Sequence, residues 1–440
     1  MGRFFCYDFV ILRTSIRLCG IILIERGMNM IRFIHCADLH LGRTFQTSAD
    51  MSEAFIHQAV QSSYRSFEAI IQEAISRNVD FVVISGDVYD QKKRSVRAQW
   101  FVKKQAEKLL NHHIPLFIIH GNHDPEVGGH DLIDMPENVH IFPTEVTHKE
   151  LKTLQGEKVI LYGFSYPQSA YTENPVPAYH KVKDELAFHI ALLHGQEKGQ
   201  VGHDPYAPFT LSSLEEKEFD YWALGHIHKR QLLKENPPIV YPGNIQGCHR
   251  KETGGKGAYF VELTHSEVRL QFIETAPVRW EQVSISISEL HTIDELLDEY
   301  HEQIEMMSPS YNWIVMLTIK GQGILHEKLA DKKVLDELFH LMEEDIGGEH
   351  LWIDRMEIHT QPELDRDAWR IQDHLLGDVV RLRDELEADG MLKEVVSPLF
   401  EHRKIRKYIN EMDEEEWKQV IESAEGMILT SLLDEGRDEG

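Results

Sequence analysis

Five short stretches of the chain carry side chains able to do chemistry. In order they are Asp38-Leu39-His40, Gly86-Asp87-Val88-Tyr89-Asp90, Gly121-Asn122-His123-Asp124, His194-Gly195 and Gly225-His226-Ile227-His228. Asp38, His40, Asp87, Asn122, His194, His226 and His228 form a set of oxygen and imidazole donors with no thiolate. Such a set suits Mn2+, Fe or Zn2+ rather than Cu(I) or an iron–sulfur cluster. Seven donors are too many for one tetrahedral site, but they fit two ions about 3.5–4 Å apart with a carboxylate bridge. Two ions so placed clamp a phosphoryl oxygen and acidify a water for in-line attack on phosphorus. The implied chemistry is phosphoester hydrolysis.

Each motif alone has a duller explanation. A strand-end Asp usually caps a helix or forms a turn, and a lone His usually packs or faces solvent. Five such motifs in one ordered series are poorly explained that way, because each follows an apolar run. Ile31–Cys36, Phe81–Ser85, Pro115–His120, Phe188–Leu193 and Asp220–Leu224 read as strands. Apolar residues recur at helical spacing from Ser52 to Arg77 and again from Ser95 to Asn111. Strand, helix, strand, helix, strand is the βαβ pattern of a parallel sheet buried on both faces. Ligands in such sheets gather at the carboxyl ends of the strands. The spacing therefore predicts that all five motifs converge on one sheet edge.

The motif series resembles the calcineurin-like metallophosphoesterases over roughly residues 31–275. The stretches His35–Gly42, Ser85–Asp90 and Ala223–His228 resemble SbcD-type DNA repair nucleases, and the overall layout is similar to the YhaO-type branch. Tyr241-Pro242-Gly243-Asn244 is similar to a turn those nucleases carry after the last ligand. The resemblance implies an α/β fold with a two-sheet core flanked by helices, a small α/β cap and a helical C-terminal tail. It implies one metal on Asp38, His40, Asp87 and His228, and a second on Asp87, Asn122, His194 and His226, both expected to be Mn2+. It gives His123 the phosphate and the leaving oxygen. It gives Asp90 a hydrogen bond to His123 through its carboxylate, which would keep His123 protonated. The partners it implies are DNA and an SMC-like ATPase of SbcC type, with a homodimer as a further expectation.

The chain has 440 residues, enough for two or three domains, with ordinary soluble-globular composition. Four cysteines without a C-x-x-C pair exclude a disulfide scaffold and a zinc finger, and suggest a reducing, cytoplasmic setting, nucleoid-associated if DNA is the substrate. Cys36 and Cys248 read as small packing residues. Net charge is −27 and unevenly placed: residues 1–275 carry 29 Lys+Arg against 33 Asp+Glu, and residues 276–440 carry 17 against 40. The first part could approach a polyanion if local cations help, whereas the second would repel one. Arg43, Lys92, Lys93, Arg94, Lys229, Arg230 and Arg250 all follow motifs or the later turn, and are expected to form a basic track beside the metals. An ordinary solvated surface is the alternative.

Within residues 1–29, Phe4 to Ile24 is apolar but interrupted by Asp8, Arg13 and Arg17, too broken for a membrane span of about 20 residues. They are expected to be an upstream extension, with Met28 or Met30 as the true start. Residues 30–275 form the expected phosphoesterase domain. Residues 276–361, with strand patterns at Val283–Ile287, Trp313–Ile319 and Leu351–Ile358 and helical stretches at Asp294–Met306 and Lys328–Glu344, form the expected cap. Residues 362–440 read as a helical tail with two apolar stripes, Trp369 to Leu386 and Trp417 to Leu432, packed on the chain itself or on a partner. Gly254-Gly255-Lys256-Gly257 lacks the spacing and the Ser/Thr of a P-loop. The sequence thus favours a metal-dependent DNA nuclease subunit. A phosphodiesterase or phosphatase for nucleotides is the alternative, and a scaffold without catalysis is disfavoured because no ligand is missing.

Overall fold

The computed structural model describes residues 29–47, 53–90, 94–126, 132–199, 206–345, 350–363 and 366–388, with part of 417–432. The expectation for residues 1–28, and Lys92 and Lys93 of the basic track, fall outside them. Two compact units emerge: residues 1–281 with 310–314, and residues 282–309 with 315–440.

In the first unit the order is β1 (Met30–Cys36), α1 (Glu53–Ser76), β2 (Phe81–Ser85), α2 (Val96–Leu110), β3 (Leu116–Ile119), β4 (Val139–Ile141), β5 (Thr147–Lys152), β6 (Lys158–Gly163), β7 (Phe188–His194), α3 (Leu211–Glu215), β8 (Tyr221–Gly225), β9 (Gln231–Glu235), β10 (Pro238–Tyr241), β11 (Gly257–Thr264) and β12 (Val268–Glu274). These strands do not make one sheet. One six-stranded sheet runs β12-β11-β1-β2-β3-β4 and a second runs β5-β6-β7-β8-β10-β9. β1, β2 and β3 are parallel neighbours, as are β7 and β8.

Side-chain alternation explains why these strands are almost wholly apolar. Ile31, Phe33, Phe81, Val83, Phe117 and Ile119 point to one side, where they join Phe188, Ile190, Leu192, Tyr221 and Ala223 of the other sheet in a single buried cluster. The intervening Ile34, Cys36, Val82, Ile84, Leu116 and Ile118 pack with Phe67, Ile70 and Ile71 of α1 and Val102, Ala106 and Leu109 of α2. Each fully buried Ile, Val or Phe contributes about 1.5–3 kcal/mol. Slipping one strand by a residue would expose its whole set, so the register of the strand ends is firmly held.

The helix ends are set by local chemistry. Ser95 caps α2, its side chain accepting from Ala98 N–H at 3.1 Å. α1 stops where Asn78 turns left-handed, at φ 49°. Asn78 N–H then bonds Ile75 O and Val79 N–H bonds Ala74 O, which satisfies two orphan carbonyls.

In the second unit β13 (Val278–Ser286), which starts in the first, pairs in a three-stranded sheet of order β13-β14-β15, with β14 (Asn312–Gln322) and β15 (Leu351–Gln361). α4 (Ile293–Glu305) lies between the first two strands in sequence. The single helix expected over 328–344 is two, α5 (His326–Leu329) and α6 (Lys332–Asp345). Asp331 makes the break: its carboxylate accepts Lys333 N–H at 2.8 Å and starts a new helix. Beyond lie α7 (Arg366–Arg370), α8 (Leu375–Ala388) and helical positions within 417–432. The second apolar stripe is not a buried face, since Val420 and Ile428 are exposed while Leu429 and Glu425 are buried. Glu425 is held by Arg366 at 3.1 Å.

Candidate metal centre

The five motifs sit where β1, β2, β3, β7 and β8 end, so the site lies across the ends of two sheets rather than along one edge. Sequence periodicity identifies strands but not their partners, so the single sheet edge it pointed to is not found, whereas the two-sheet core implied by the family resemblance is. The motif loops are then zipped together by backbone bonds. Asp38 N–H donates to Gly86 O at 3.1 Å and His40 N–H to Asp87 O at 3.0 Å, tying the first loop to the second. Asp124 ties the second to the third. Its carboxylate, fully buried, accepts from Val88 N–H at 2.8 Å, Tyr89 N–H at 3.2 Å, Gly121 N–H at 2.8 Å and His120 Nδ1 at 2.9 Å.

The backbone is strained where donors sit. Asp38, His40, Asp87 and His226 have φ of 53°, 43°, 51° and 98°. Left-handed backbone at a residue with a side chain costs about 1–3 kcal/mol and persists only where the surroundings impose it. Gly86, at φ 95°, and Gly121 serve the same packing, since a Cβ at either would collide with the His194 ring.

Side chains from all five motifs converge. Asp38, His40 and His228 offer ligand atoms within 4.8 Å of one another, and so do Asp38, Asp87 and His194, and His40, Asp87 and His123. Asn122 Oδ1 joins them, 3.0 Å from His194 Nε2 and 3.2 Å from His226 Nδ1. Asp87 occupies the middle, with Oδ2 3.4 Å from His194 Nε2 and 3.8 Å from His40 Nε2. Its Oδ1 accepts His123 N–H at 2.9 Å. Asp38 accepts His226 N–H at 3.1 Å.

Charge follows from burial and pairing. Burial opposes ionisation of Asp87, yet the His194 imidazole beside it holds its carboxyl well below the usual range. Burial pushes Asp38 up to about 6, against the pull of His228 and His194. Burial would lower His194 too, but Asp87 and Asp38 lift it to about 9. Burial keeps His40 well below the ordinary value.

The donor set fits cations. His194 Nδ1–H donates to Ser85 O at 2.9 Å, which directs Nε2 at two acceptors, Asn122 Oδ1 and Asp87 Oδ2. His228 Nδ1 faces the carboxylate of Glu252, so in the neutral ring the proton lies there and Nε2 presents a lone pair. That lone pair points at His40 Nε2, 3.0 Å away, while among the described residues the buried His40 Nδ1 has no hydrogen-bond partner. Crowded acceptors and facing imidazole nitrogens are what divalent ions would satisfy.

Two expectations need correction. Asp90 does not hydrogen-bond His123 through its carboxylate: His123 Nδ1–H donates to the Asp90 main-chain carbonyl at 3.0 Å, with the carboxylate oxygen 3.8 Å away. That carboxylate oxygen lies about equally near His40, at 3.7 Å, and Arg43 and His123, each at 3.8 Å. Arg94 does not face outward. It is buried, and its guanidinium donates to Asp124 O, Pro125 O and the Glu126 carboxylate at 3.0–3.1 Å. Of the other cations, Lys229, Arg230 and Arg250 are exposed, Arg230 lying over the Phe272 ring at 3.9 Å, and Arg43 is largely covered. Cys36 and Cys248 are buried and unoxidised, and burial raises both thiols, Cys248 to about 12. Sequence reasoning missed Glu252 and the role of Asp124. Nothing in the composition around Arg250-Lys251-Glu252 distinguishes a buried carboxylate from a surface one.

Residues 31–230 match the calcineurin-like phosphoesterase family, and residues 280–361 match the middle domain of metallophosphoesterase YhaO. Over 405 residues the chain is 33% identical to the uncharacterized metallophosphoesterase YhaO of Bacillus subtilis, across 91% of this chain and 98% of that protein. It is 27% identical over 282 residues to the DNA double-strand break repair protein Mre11 of Methanocaldococcus jannaschii, across 61% of this chain and 72% of that one. It is 25% identical over 327 residues to the Mre11 of Archaeoglobus fulgidus, across 70% of each.

Proposed function

Because the chain belongs to the calcineurin-like metallophosphoesterases, metal-dependent phosphoester hydrolases, we propose that it is a DNA nuclease working with two divalent cations, manganese first among them. The observation that carries this reading is the central place of Asp87 among donors from both sheets. In the proposal Asp38, His40, Asp87 and His228 hold one ion, and Asp87, Asn122, His194 and His226 hold the other. Bound there, the pair supplies Lewis-acid charge that activates water and stabilises charge developing on a phosphoryl oxygen.

The chain's own residues do the rest. His123 is about a third exposed, and its Nδ1–H is fixed by the Asp90 carbonyl. Its Nε2 is then available to contact the phosphate and to protonate the leaving oxygen. Lys229 and Arg230, exposed directly after the last motif, and Arg250, exposed after the Tyr241–Asn244 turn, supply positive charge for a DNA strand despite the acidic whole. The kinship with repair proteins named Mre11 supports DNA as substrate and a role in repair. An SMC-like ATPase as partner, the acidic second unit and the tail as its dock, and a homodimer belong to the same proposal. Among the described residues no helix is long and apolar enough to cross a membrane.

The test is cleavage of labelled linear and hairpin DNA with Mn2+, with and without an SMC-like ATPase, beside bis-p-nitrophenyl phosphate and cyclic nucleotides. DNA cleavage abolished by a chelator is expected. Turnover of the small esters with DNA left intact would overturn the nuclease in favour of a small-substrate phosphodiesterase.

A further inference from the structure

We infer that Glu252 is a positioning residue for the metal centre, acting through His228, and that it selects which nitrogen of that imidazole faces the ions. The inference rests on the two-ion site proposed above. Glu252 is 5% exposed, and one carboxylate oxygen is bonded to His228 Nδ1. The other accepts Cys248 N–H at 2.7 Å. The carboxylate is thereby fixed at both oxygens, and its own N–H is tied to His249 O at 2.9 Å.

A carboxylate only accepts hydrogen bonds, so His228 must carry its proton on Nδ1. The opposite nitrogen, Nε2, is left bare on the side where His40 and Asp38 offer their ligand atoms. Without Glu252 the proton could sit on either nitrogen, and the ring could turn about its χ2 torsion. The main chain of His228 is pinned by the same segment. Lys256, 8% exposed, donates from Nζ to His228 O at 3.0 Å, and Asn244 N–H donates to the same oxygen at 3.3 Å. Ring and backbone of one donor are thus held by Glu252, Lys256 and Asn244, from a stretch that supplies no proposed ligand itself. Among the described residues His40 has no comparable orienting bond: its Nδ1 makes no hydrogen bond, and the Asp90 carboxylate stands off at 3.7 Å. A fixed His228 is then the member of the facing pair that sets the geometry. Partners of this kind typically contribute 10–100-fold to metal affinity.

The experiment is calorimetric titration of the metal-free full chain with Mn2+, without substrate, for wild type, E252Q, E252A and H228A, alongside thermal unfolding of each metal-free protein. E252Q keeps the size and an acceptor oxygen for Cys248 N–H, and guards against simple misfolding. Expected is a loss of about tenfold or more in affinity at one of two sites in E252Q, a larger loss in E252A, and a metal-free melting temperature close to wild type in E252Q. Wild-type affinity at both sites in E252Q and E252A, with H228A impaired, would overturn the role of Glu252 alone. Wild-type affinity in H228A as well would overturn the metal site on which it rests.

Discussion

Asp87 Oδ2 lies 3.4 Å from His194 Nε2, joining a carboxylate that follows β2 in one sheet to an imidazole that ends β7 in the other. Donors from the two sheets meet at this contact. If Asp87 is the shared ligand, D87A should lose both ions together and reduce hydrolysis to background. Titration of D87A with Mn2+ checks this. One remaining site of wild-type affinity would show that the carboxylate is not a bridge.

His123 and Asp90 should behave differently from each other. H123A should bind both ions normally while turnover falls about 10²–10⁴-fold, the usual scale of a lost general acid. D90N should be far milder, because the bond that orients His123 comes from the Asp90 carbonyl and survives the substitution. Steady-state rates beside metal content distinguish these outcomes. A D90N protein as slow as H123A would mean that the carboxylate itself acts on the ring.

The cations divide into two groups with opposite readouts. Arg94 is buried against Asp124, Pro125 and Glu126, so R94A should cost about 1–3 kcal/mol of stability. The salt slope of DNA binding in R94A should be unchanged. K229A/R230A/R250A should leave stability near wild type and reduce the log–log salt slope by roughly 0.9 per lost phosphate contact. Denaturant melts and DNA titrations at several salt concentrations separate the two, and an unaltered slope in the triple variant would remove these residues from the interface.

His35 offers a pH signature away from the donors. It is fully buried, with Nε2 3.1 Å from Leu224 O and Nδ1 3.0 Å from Tyr221 OH, and burial lowers it from 6.5 to about 3. A histidine lowered in the folded state favours folding fully above pH 6.5, and the benefit is lost as pH falls from there toward 3. At about 1.4 kcal/mol per unit, roughly 2–3 kcal/mol should be gone by pH 4.5. H35Q, which cannot take up the proton, should therefore lose less stability than wild type between pH 7 and 4.5. Urea melts of both proteins in chelator measure the difference, and parallel losses would place the acid sensitivity elsewhere.

Much of this was legible in the residues because the core is so uniform. Strands buried on both faces read as unbroken apolar runs, and Phe81–Ser85 has the bounds expected of it. The caps at Ser95 and Asn78 show why the helix limits were also close. What could not be read was partnership across sequence distance. Nothing in the period of β7 and β8 says that they leave the sheet of β1, β2 and β3. Arg94 looks like its neighbours Lys92 and Lys93 as a string of letters, yet Asp124 and Glu126 draw it inside. Glu252 likewise follows two cations and resembles a solvated turn until its burial is seen.

Asp124 carries a consequence for how loss-of-function variants are interpreted. One carboxylate anchors the loops of Asp87 and His123 through four donors while touching neither ion nor substrate in the proposed scheme. Removing it would loosen two motifs at once, so a screen for inactive variants would return position 124 among the chelating positions. Its phenotype would be indistinguishable from theirs by activity, and would part from them only in the unfolding of the metal-free chain.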